Sequence, residues 1–192
     1  MRSPGCQKQL QTSLRQPSSV IVPDSSNPVA SAFKRPLPSV EVVVEPDTFE
    51  RSVHGEITGR VWLRDGRREL QADFPEVGWS DFPVALIGAW AAELQRFARV
   101  VPANGAIARC HFMDGPYSFT VHAEGAGAWR ITCVEERATG RSTPSQVWVT
   151  DSSSFLDDLH RAARATLAAC DARGWWDADT ETLRRFVESR SR

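Results

Sequence analysis

Residues 107–134 constrain the fold most, because they read as a three-strand antiparallel meander with one apolar and one polar face. Asp114-Gly115 lies between two alternating runs, and Asp-Gly in a two-residue loop is the strongest short hairpin signal. The loop predicts that Cys110 faces Phe119. Side chains alternate along a strand, so six apolar residues share one face: Ala108, Cys110, Phe112, Tyr117, Phe119 and Val121. The opposite face receives Arg109, His111, Ser118, Thr120 and His122.

A second turn around residues 124–126 is predicted to return the chain as the third strand. A three-residue loop would pair Val121 with Trp129, and it would place Arg130 on the polar face. A slip of one residue would mix apolar and polar side chains on both faces. The alternation therefore selects the register of the meander.

The remaining elements predict an α+β fold. Alternating valines from Val40 indicate a first strand, and Asp65-Gly66 predicts a hairpin that pairs Ile57 with Phe74. Residues 146–150 indicate another strand. We expect one antiparallel sheet of about six strands, built from hairpins and a meander. Two main helices should pack on one of its faces, and a short C-terminal helix should follow.

The helices are predicted from apolar spacing and from capping residues. The first begins after Ser80 or Asp81, and the second after residues 152–154. Gly174 is expected to end the second helix, and Asp177 or Asp179 to cap the last one. The predicted buried stripes are Phe82, Leu86, Trp90, Leu94 and Phe97 in the first helix, and Leu156, Leu159, Ala163, Leu167 and Cys170 in the second.

Charge and composition divide the chain into two parts. Residues 1–38 are rich in Ser, Pro and Gln and hold five basic residues and one acid, a charge of +4. The whole chain carries −1, so residues 39–192 carry −5. We predict a disordered tail at 1–38 and a single domain at 39–192. Two alternatives for the tail are a misassigned gene start and a basic arm for a polyanion.

The composition also argues against some partners. A mildly acidic domain without lysine is unlike a nucleic-acid-binding domain, so no nucleic acid partner is expected. No apolar run reaches about 18 residues, so no membrane span is expected either.

The sequence contains no Gly-rich phosphate loop, no Gly-x-Ser-x-Gly, no His-Glu-x-x-His and no Cys-x-x-Cys. Cys110 and Cys133 lie on non-neighbouring strands, roughly 10 Å apart, which is too far for a disulfide. Buried free thiols indicate a reducing cytoplasm. His111 and His122 are separated by roughly 13 Å and cannot share a metal ion. We therefore predict no metal, no cofactor and no catalytic residue.

The polar face of the meander is the candidate binding surface. Arg109, His111, His122 and Arg130 would give it positive potential, which would suit an acidic protein partner. The alternative is a plain solvent-facing side of an antiparallel sheet. Trp176 is the candidate exposed anchor, since aromatic residues are enriched at binding hot spots.

A cluster of carboxylates before the first helix offers a different chemistry. Asp73, Glu76 and Asp81 lie near Trp79, and paired carboxylates can perform acid–base catalysis. Loop and capping roles also explain these residues.

The layout of strand, hairpin, helix, meander and helix resembles small bacterial α+β proteins of unassigned function. Some of these are immunity proteins of contact-dependent or polymorphic toxin systems. The resemblance spans residues 40–188 and includes Phe-Met-Asp-Gly-Pro-Tyr-Ser-Phe at 112–119 and Arg-Gly-Trp-Trp at 173–176. It implies a non-catalytic, toxin-neutralising protein, and no site residue is carried over from it.

We therefore predict a non-catalytic protein-binding domain of the cytoplasm. The alternative is an enzyme or small-ligand binder that uses a pocket between the sheet and the helices.

Overall fold

The computed structural model describes residues 39–66, 73–100, 106–125, 127–136 and 142–189. These residues lie within one compact unit, Pro36–Arg192. The predicted tail at 1–38 lies outside the described residues.

The described part of the chain is α+β, with two four-stranded antiparallel sheets and three helices. In the first sheet β2 pairs with β1 and with two short strands, β3 and β4; the second sheet has the order β5-β6-β7-β8. The strands are β1 (Val40–Arg51), β2 (Ile57–Asp65), β3 (Asp73–Phe74), β4 (Ser80–Asp81), β5 (Ile107–His111), β6 (Tyr117–Gly125), β7 (Ala128–Glu136) and β8 (Ser142–Asp151). The helices are α1 (Pro83–Arg99), α2 (Ser152–Ala172) and α3 (Ala178–Ser189). None of these helices combines the length and apolarity needed to span a bilayer.

The expected single sheet of about six strands is therefore corrected to two sheets. The chain turns at Pro75 and Gly78, so it follows β2 only as two-residue strands before α1 begins. The predicted pairing of Ile57 with Phe74 is also wrong, because Phe74 faces Leu63. Residues 67–72, between β2 and β3 in the sequence, lie outside the described part.

The first half of the meander has the predicted register, with Cys110 opposite Phe119 and His111 opposite Ser118. The second half is shifted by two residues, because Val121 faces Ile131 and not Trp129. A bulge between Ala123 and Gly125 lets β6 continue to Gly125, which pairs with Ala128. Since the shift is even, every side chain stays on its predicted face.

The core lies between the inner face of the β5–β8 sheet and the helices. Phe119 is fully buried and makes edge-to-face contacts with Trp90 of α1 and Phe155 of α2. Cys110 and Cys133 lie on either side of Phe119 in one cross-strand row, and both are buried free thiols. α3 packs on α1 and α2 and buries Leu183 and Phe186. Both predicted helical stripes face this core, with Phe82 and Leu156 partly exposed.

α2 covers the free edge of β1. The Asp158 carboxylate accepts from the Val42 amide, and Arg161 donates to the Val42 carbonyl at 3.4 Å. Arg173 donates to the Pro46 carbonyl at 3.0 Å. Unpaired strand edges can pair with strands of other chains. The side chains of α2 and Arg173 prevent this here by bonding the backbone amide and carbonyl groups that such a strand would use.

The helix ends follow the predicted chemistry with two changes. Asp151, not a serine of 152–154, caps α2, and α1 starts at Pro83 without a side-chain cap. Asp177 caps α3 as expected, through 2.8 Å hydrogen bonds exchanged with Thr180. Gly174 ends α2 with φ +64°, a conformation that suits glycine.

The Asp151 cap should make the free energy of unfolding depend on pH in the acidic range. Hydrogen bonds from the Ser153 hydroxyl and the Ser154 amide hold its pKa below the ordinary 3.8. A lowered carboxyl pKa contributes stability above the unfolded pKa, and that stability is lost as pH falls through the folded pKa. Asp151→Ala should cost about 1 kcal/mol at neutral pH, and the difference from wild type should shrink below pH 3.8.

Urea unfolding across this pH range measures the effect. Asp151→Asn is the matched control, because it keeps a capping oxygen that does not titrate. A constant difference between wild type and Asp151→Ala from neutral pH to about pH 3 would contradict the assigned role.

Candidate functional site

The outward side of the β5–β8 sheet, which we call the outer face, brings four of the predicted site residues together. Three cross-strand rows make up this face. The first row is Ile107, His122, Arg130 and Val149; the second is Arg109, Thr120, Thr132 and Val147; the third is His111, Ser118, Val134 and Pro144. His111 and His122 stand in different rows, in agreement with the prediction that they cannot share a metal ion.

Apolar side chains lie exposed among the polar ones. Ile107 is 51% exposed, Val147 54% and Val149 36%. Arg109 and His111 are exposed, whereas His122 is half-buried. Sequence reasoning missed the three apolar residues. The alternation of Val147, Trp148 and Val149 was the available signal, since the buried Trp148 turns both valines outward.

The charge of the outer face differs from the expectation of a simple positive patch. Arg130 pairs with Glu124 at 2.7 Å, and Ser118 bonds Glu136 at 3.4 Å. Both carboxylates lie beyond the ends of the three rows. Arg109 has no ion pair within the described ranges. The β5 edge of the face therefore presents the Arg109 guanidinium beside the exposed Ile107, and the exposed Val147 and Val149 lie on β8 at the opposite edge.

Trp176 lies apart from these four residues, in the segment that joins α2 to α3. Its side chain is 57% exposed, in agreement with the prediction of an exposed tryptophan. Arg184 lies 4.8 Å from the ring centre, and Arg51 donates to its backbone carbonyl at 3.4 Å. The five predicted residues therefore do not form one site.

A cleft of about 380 Å³ opens beside Trp176. One wall comes from the β1–β2 loop and another from the start of α3, while α1 and the β5–β6 turn supply the rest. The sequence prediction did not include this cleft, because its parts are distant in the chain. Its lining includes His54, Glu56, Ile57, Phe82, Val84, Ala85, Met113, Asp177 and Asp179.

Asp73 and Asp81, two of the three carboxylates before α1, have structural roles. Asp81 is only 2% exposed and accepts from the amides of Phe82, Met113 and Asp114 and from the Trp79 indole. Burial raises the pKa of Asp81, and these donors act against that rise. Asp73 accepts from Trp62 at 2.7 Å and from Arg64 at 2.9 Å. These contacts support the loop and structural roles over paired acid–base catalysis.

The buried thiols and His160 are also structural. Burial raises the pKa of Cys110 and Cys133 far above the ordinary thiol range, and that of Cys170 to about 11. Thiols in this state stay protonated and are poor nucleophiles. The His160 ring bonds the Val187 carbonyl at 3.1 Å and packs edge-on against Phe186. Within the described ranges, no three His, Cys, Asp or Glu side chains are grouped to hold a metal ion.

Comparisons with family models, with curated proteins and with solved structures give no match. The outer face and the cleft beside Trp176 are therefore the features of the chain that bear on its function.

Proposed function

We propose that the protein is a non-catalytic protein-binding domain and that the outer face docks the partner. The observation that carries this proposal is the exposure of apolar side chains at both edges of one regular sheet: Ile107 beside Arg109 on β5, and Val147 and Val149 on β8. Such side chains gain from burial against a partner, because apolar surface removed from water contributes about 25 cal/mol per Å². A rigid sheet also presents them at little entropic cost.

The composition of the face defines the partner's chemistry. Arg109 lies on its β5 edge and has no ion pair among the described residues, and arginine binds carboxylates through two parallel hydrogen bonds. Ile107 lies two residues before Arg109 on the same strand, whereas Val147 and Val149 lie three strands away on β8. We expect a partner surface that places a carboxylate opposite Arg109 on β5 and apolar side chains opposite both edges of the sheet. The sequence predicted an acidic protein partner; the exposed apolar side chains add apolar surface to what that partner must offer.

The layout resemblance extends the proposal to the class of partner. Immunity-type proteins bind a toxin domain and block it without chemistry of their own. The half-buried or exposed positions of His122 and His111, outside the cleft, support binding over catalysis on this face. The enzyme alternative would require converging reactive side chains. The cleft is lined by His54, Glu56, Asp177 and Asp179, but among the described residues no hydrogen bond or ion pair joins the His54 ring to any of these carboxylates.

The experiment compares two double variants in affinity capture from the source organism. Arg109→Glu with Val147→Asp reverses the charge and places a carboxylate in the apolar part of the face. Arg164→Glu with Val77→Asp makes the same changes at exposed positions of α2 and of the β3–β4 connection. The partner should be captured by wild type and by the control pair. With purified partner, the first pair should weaken binding about 100-fold, roughly tenfold for each anchor.

Equal affinity of the two double variants for the partner would exclude the outer face. The toxin proposal has its own readout. Expression of the purified partner's gene alone should arrest bacterial growth, and coexpression of wild type should relieve the arrest. The Arg109→Glu, Val147→Asp variant should not relieve it. A captured partner without toxicity would leave protein binding standing and would overturn toxin neutralisation.

A further inference from the structure

The cleft beside Trp176 has the composition of a second binding site. Its floor is apolar: Ile57 and Val84 are at most 5% exposed, and Phe82 and Ala85 are partly buried. A volume of about 380 Å³ is enough for one or two side chains and lies in the range of ligand pockets. The cleft is therefore shaped to bury apolar atoms.

The walls of the cleft carry negative charge. Glu56 comes from the β1–β2 loop, and Asp177 and Asp179 from the start of α3. Two nearby arginines are engaged elsewhere. Arg51 donates to the carbonyls of Gly55 and Trp176, which ties the two walls together, and Arg184 pairs with Asp171 at 2.6 Å. The Asp177 carboxylate accepts from the Thr180 amide, whereas Glu56 and Asp179 have no ion pair among the described residues. The charge of Glu56 and Asp179 is therefore available to a ligand above the apolar floor.

Exposed apolar side chains surround the cleft. Met113, which lines it, is 57% exposed. Val53, beside His54 in the same loop, is 97% exposed, and Trp176, beside Asp177, is 57% exposed. A group of exposed apolar residues around a concave site is typical of an interaction surface. The occupant must therefore offer both apolar surface and positive charge.

We infer that the cleft binds an arginine or lysine side chain of a partner polypeptide, flanked by apolar residues. The alkyl stem of such a side chain lies along apolar surface while its head stays in a polar rim. Its charged head would bond Glu56 and Asp179 through charge-assisted hydrogen bonds. The inference is independent of the outer face, which carries the Arg109 guanidinium on its β5 edge and selects the opposite charge.

Peptide titration of the isotope-labelled, full-length protein followed by NMR tests the inference. The probes are the capped peptides acetyl-Leu-Arg-Leu-Arg-amide and acetyl-Leu-Glu-Leu-Glu-amide. The arginine peptide should shift the amide signals of Gly55, Glu56 and Ala178 saturably, and the glutamate peptide should leave them unchanged. Equal shifts with both peptides, or shifts confined to other parts of the protein, would overturn the inference.

Two variants with matched controls test the acidic rim and the apolar floor of the cleft separately. Glu56→Gln with Asp179→Asn should weaken binding of the arginine peptide about tenfold, whereas Asp47→Asn with Glu188→Gln should not. Ala85→Phe should fill the cleft and abolish binding. Ala92→Phe, at an exposed position of the same helix, should leave binding unchanged. Unchanged affinity in Ala85→Phe would overturn the site. Broadening of the same amide signals with rising protein concentration alone would assign the cleft to a second copy and overturn it too.

Discussion

Asp81→Ala is expected to lower the free energy of unfolding by about 4 kcal/mol. The Asp81 carboxylate accepts from the amides of Phe82, Met113 and Asp114 at 2.7 to 3.3 Å and from the Trp79 indole at 3.4 Å. Alanine would leave these donors without an acceptor in a site from which water is largely excluded. Each unsatisfied buried donor costs about 1–3 kcal/mol, part of which the removal of a buried charge offsets.

Chemical denaturation of Asp81→Ala and Asp179→Ala side by side checks this expectation. Asp179 is exposed, so its replacement should change stability by less than about 0.5 kcal/mol. Asp81→Asn should fall between the two, because the amide keeps one acceptor oxygen but turns a donor toward other donors. A loss below about 1 kcal/mol in Asp81→Ala would show that the donors find other partners. Since Asp81 anchors Met113, its loss should also weaken the peptide binding proposed for the cleft.

Phe119→Ala is expected to cost about 4 kcal/mol of unfolding free energy. Phe119 is 0% exposed and lies between Cys110 and Cys133 in the middle of its sheet. Its ring is 4.9 Å from that of Trp90 and 6.3 Å from that of Phe155. Truncation would remove the contact that joins α1, α2 and the sheet, and packed interiors refill such cavities only in part.

Thr120→Ala is the matched control, because Thr120 is the next residue of β6 but lies on the outer face. Its replacement should cost less than about 1 kcal/mol. Thermal or urea unfolding of the two variants therefore tests the assignment of inner and outer faces as well as the size of the core contact. A larger loss in Thr120→Ala than in Phe119→Ala would reverse the two faces and remove the basis of the proposed docking surface.

The meander shows how far local pattern can reach. Alternation placed Phe119, Cys110 and Cys133 on the buried side and Arg109, His111, His122 and Arg130 on the other, and the structure agrees. The pairing of β6 with β7 was shifted by two residues, because the bulge before Gly125 changes the loop length without changing face. The face on which a side chain lies is set by alternation along its own strand. The register between two strands depends in addition on the geometry of the turn that joins them, which the sequence only suggests.

Parts of the structure that depend on distant contacts escaped prediction. The split into two sheets depends on which strands pair: among the described strands, β1 to β4 pair with one another and β5 to β8 pair with one another, and no local signal indicated this division. Asp81 was a candidate cap for the first helix, but its carboxylate accepts hydrogen bonds from the amides of Met113 and Asp114, more than 30 residues away. The pairing of Arg130 with Glu124 reduced the positive charge expected on the outer face. The cleft combines residues from the β1–β2 loop, α1, the β5–β6 turn and α3.

The sequence by itself determined the α+β class, the buried face of the meander and the helical stripes. It also determined that Cys110 and Cys133 do not form a disulfide. These features arise from periodicities of two and 3.6 residues and from local capping, which neighbouring residues suffice to set. Only the tertiary structure decided which carboxylates are buried, which of the described arginines on the outer face forms an ion pair and where the cleft opens. Those outcomes depend on the distances between segments remote in the chain, and it is these distances that set burial, hydrogen bonding and charge.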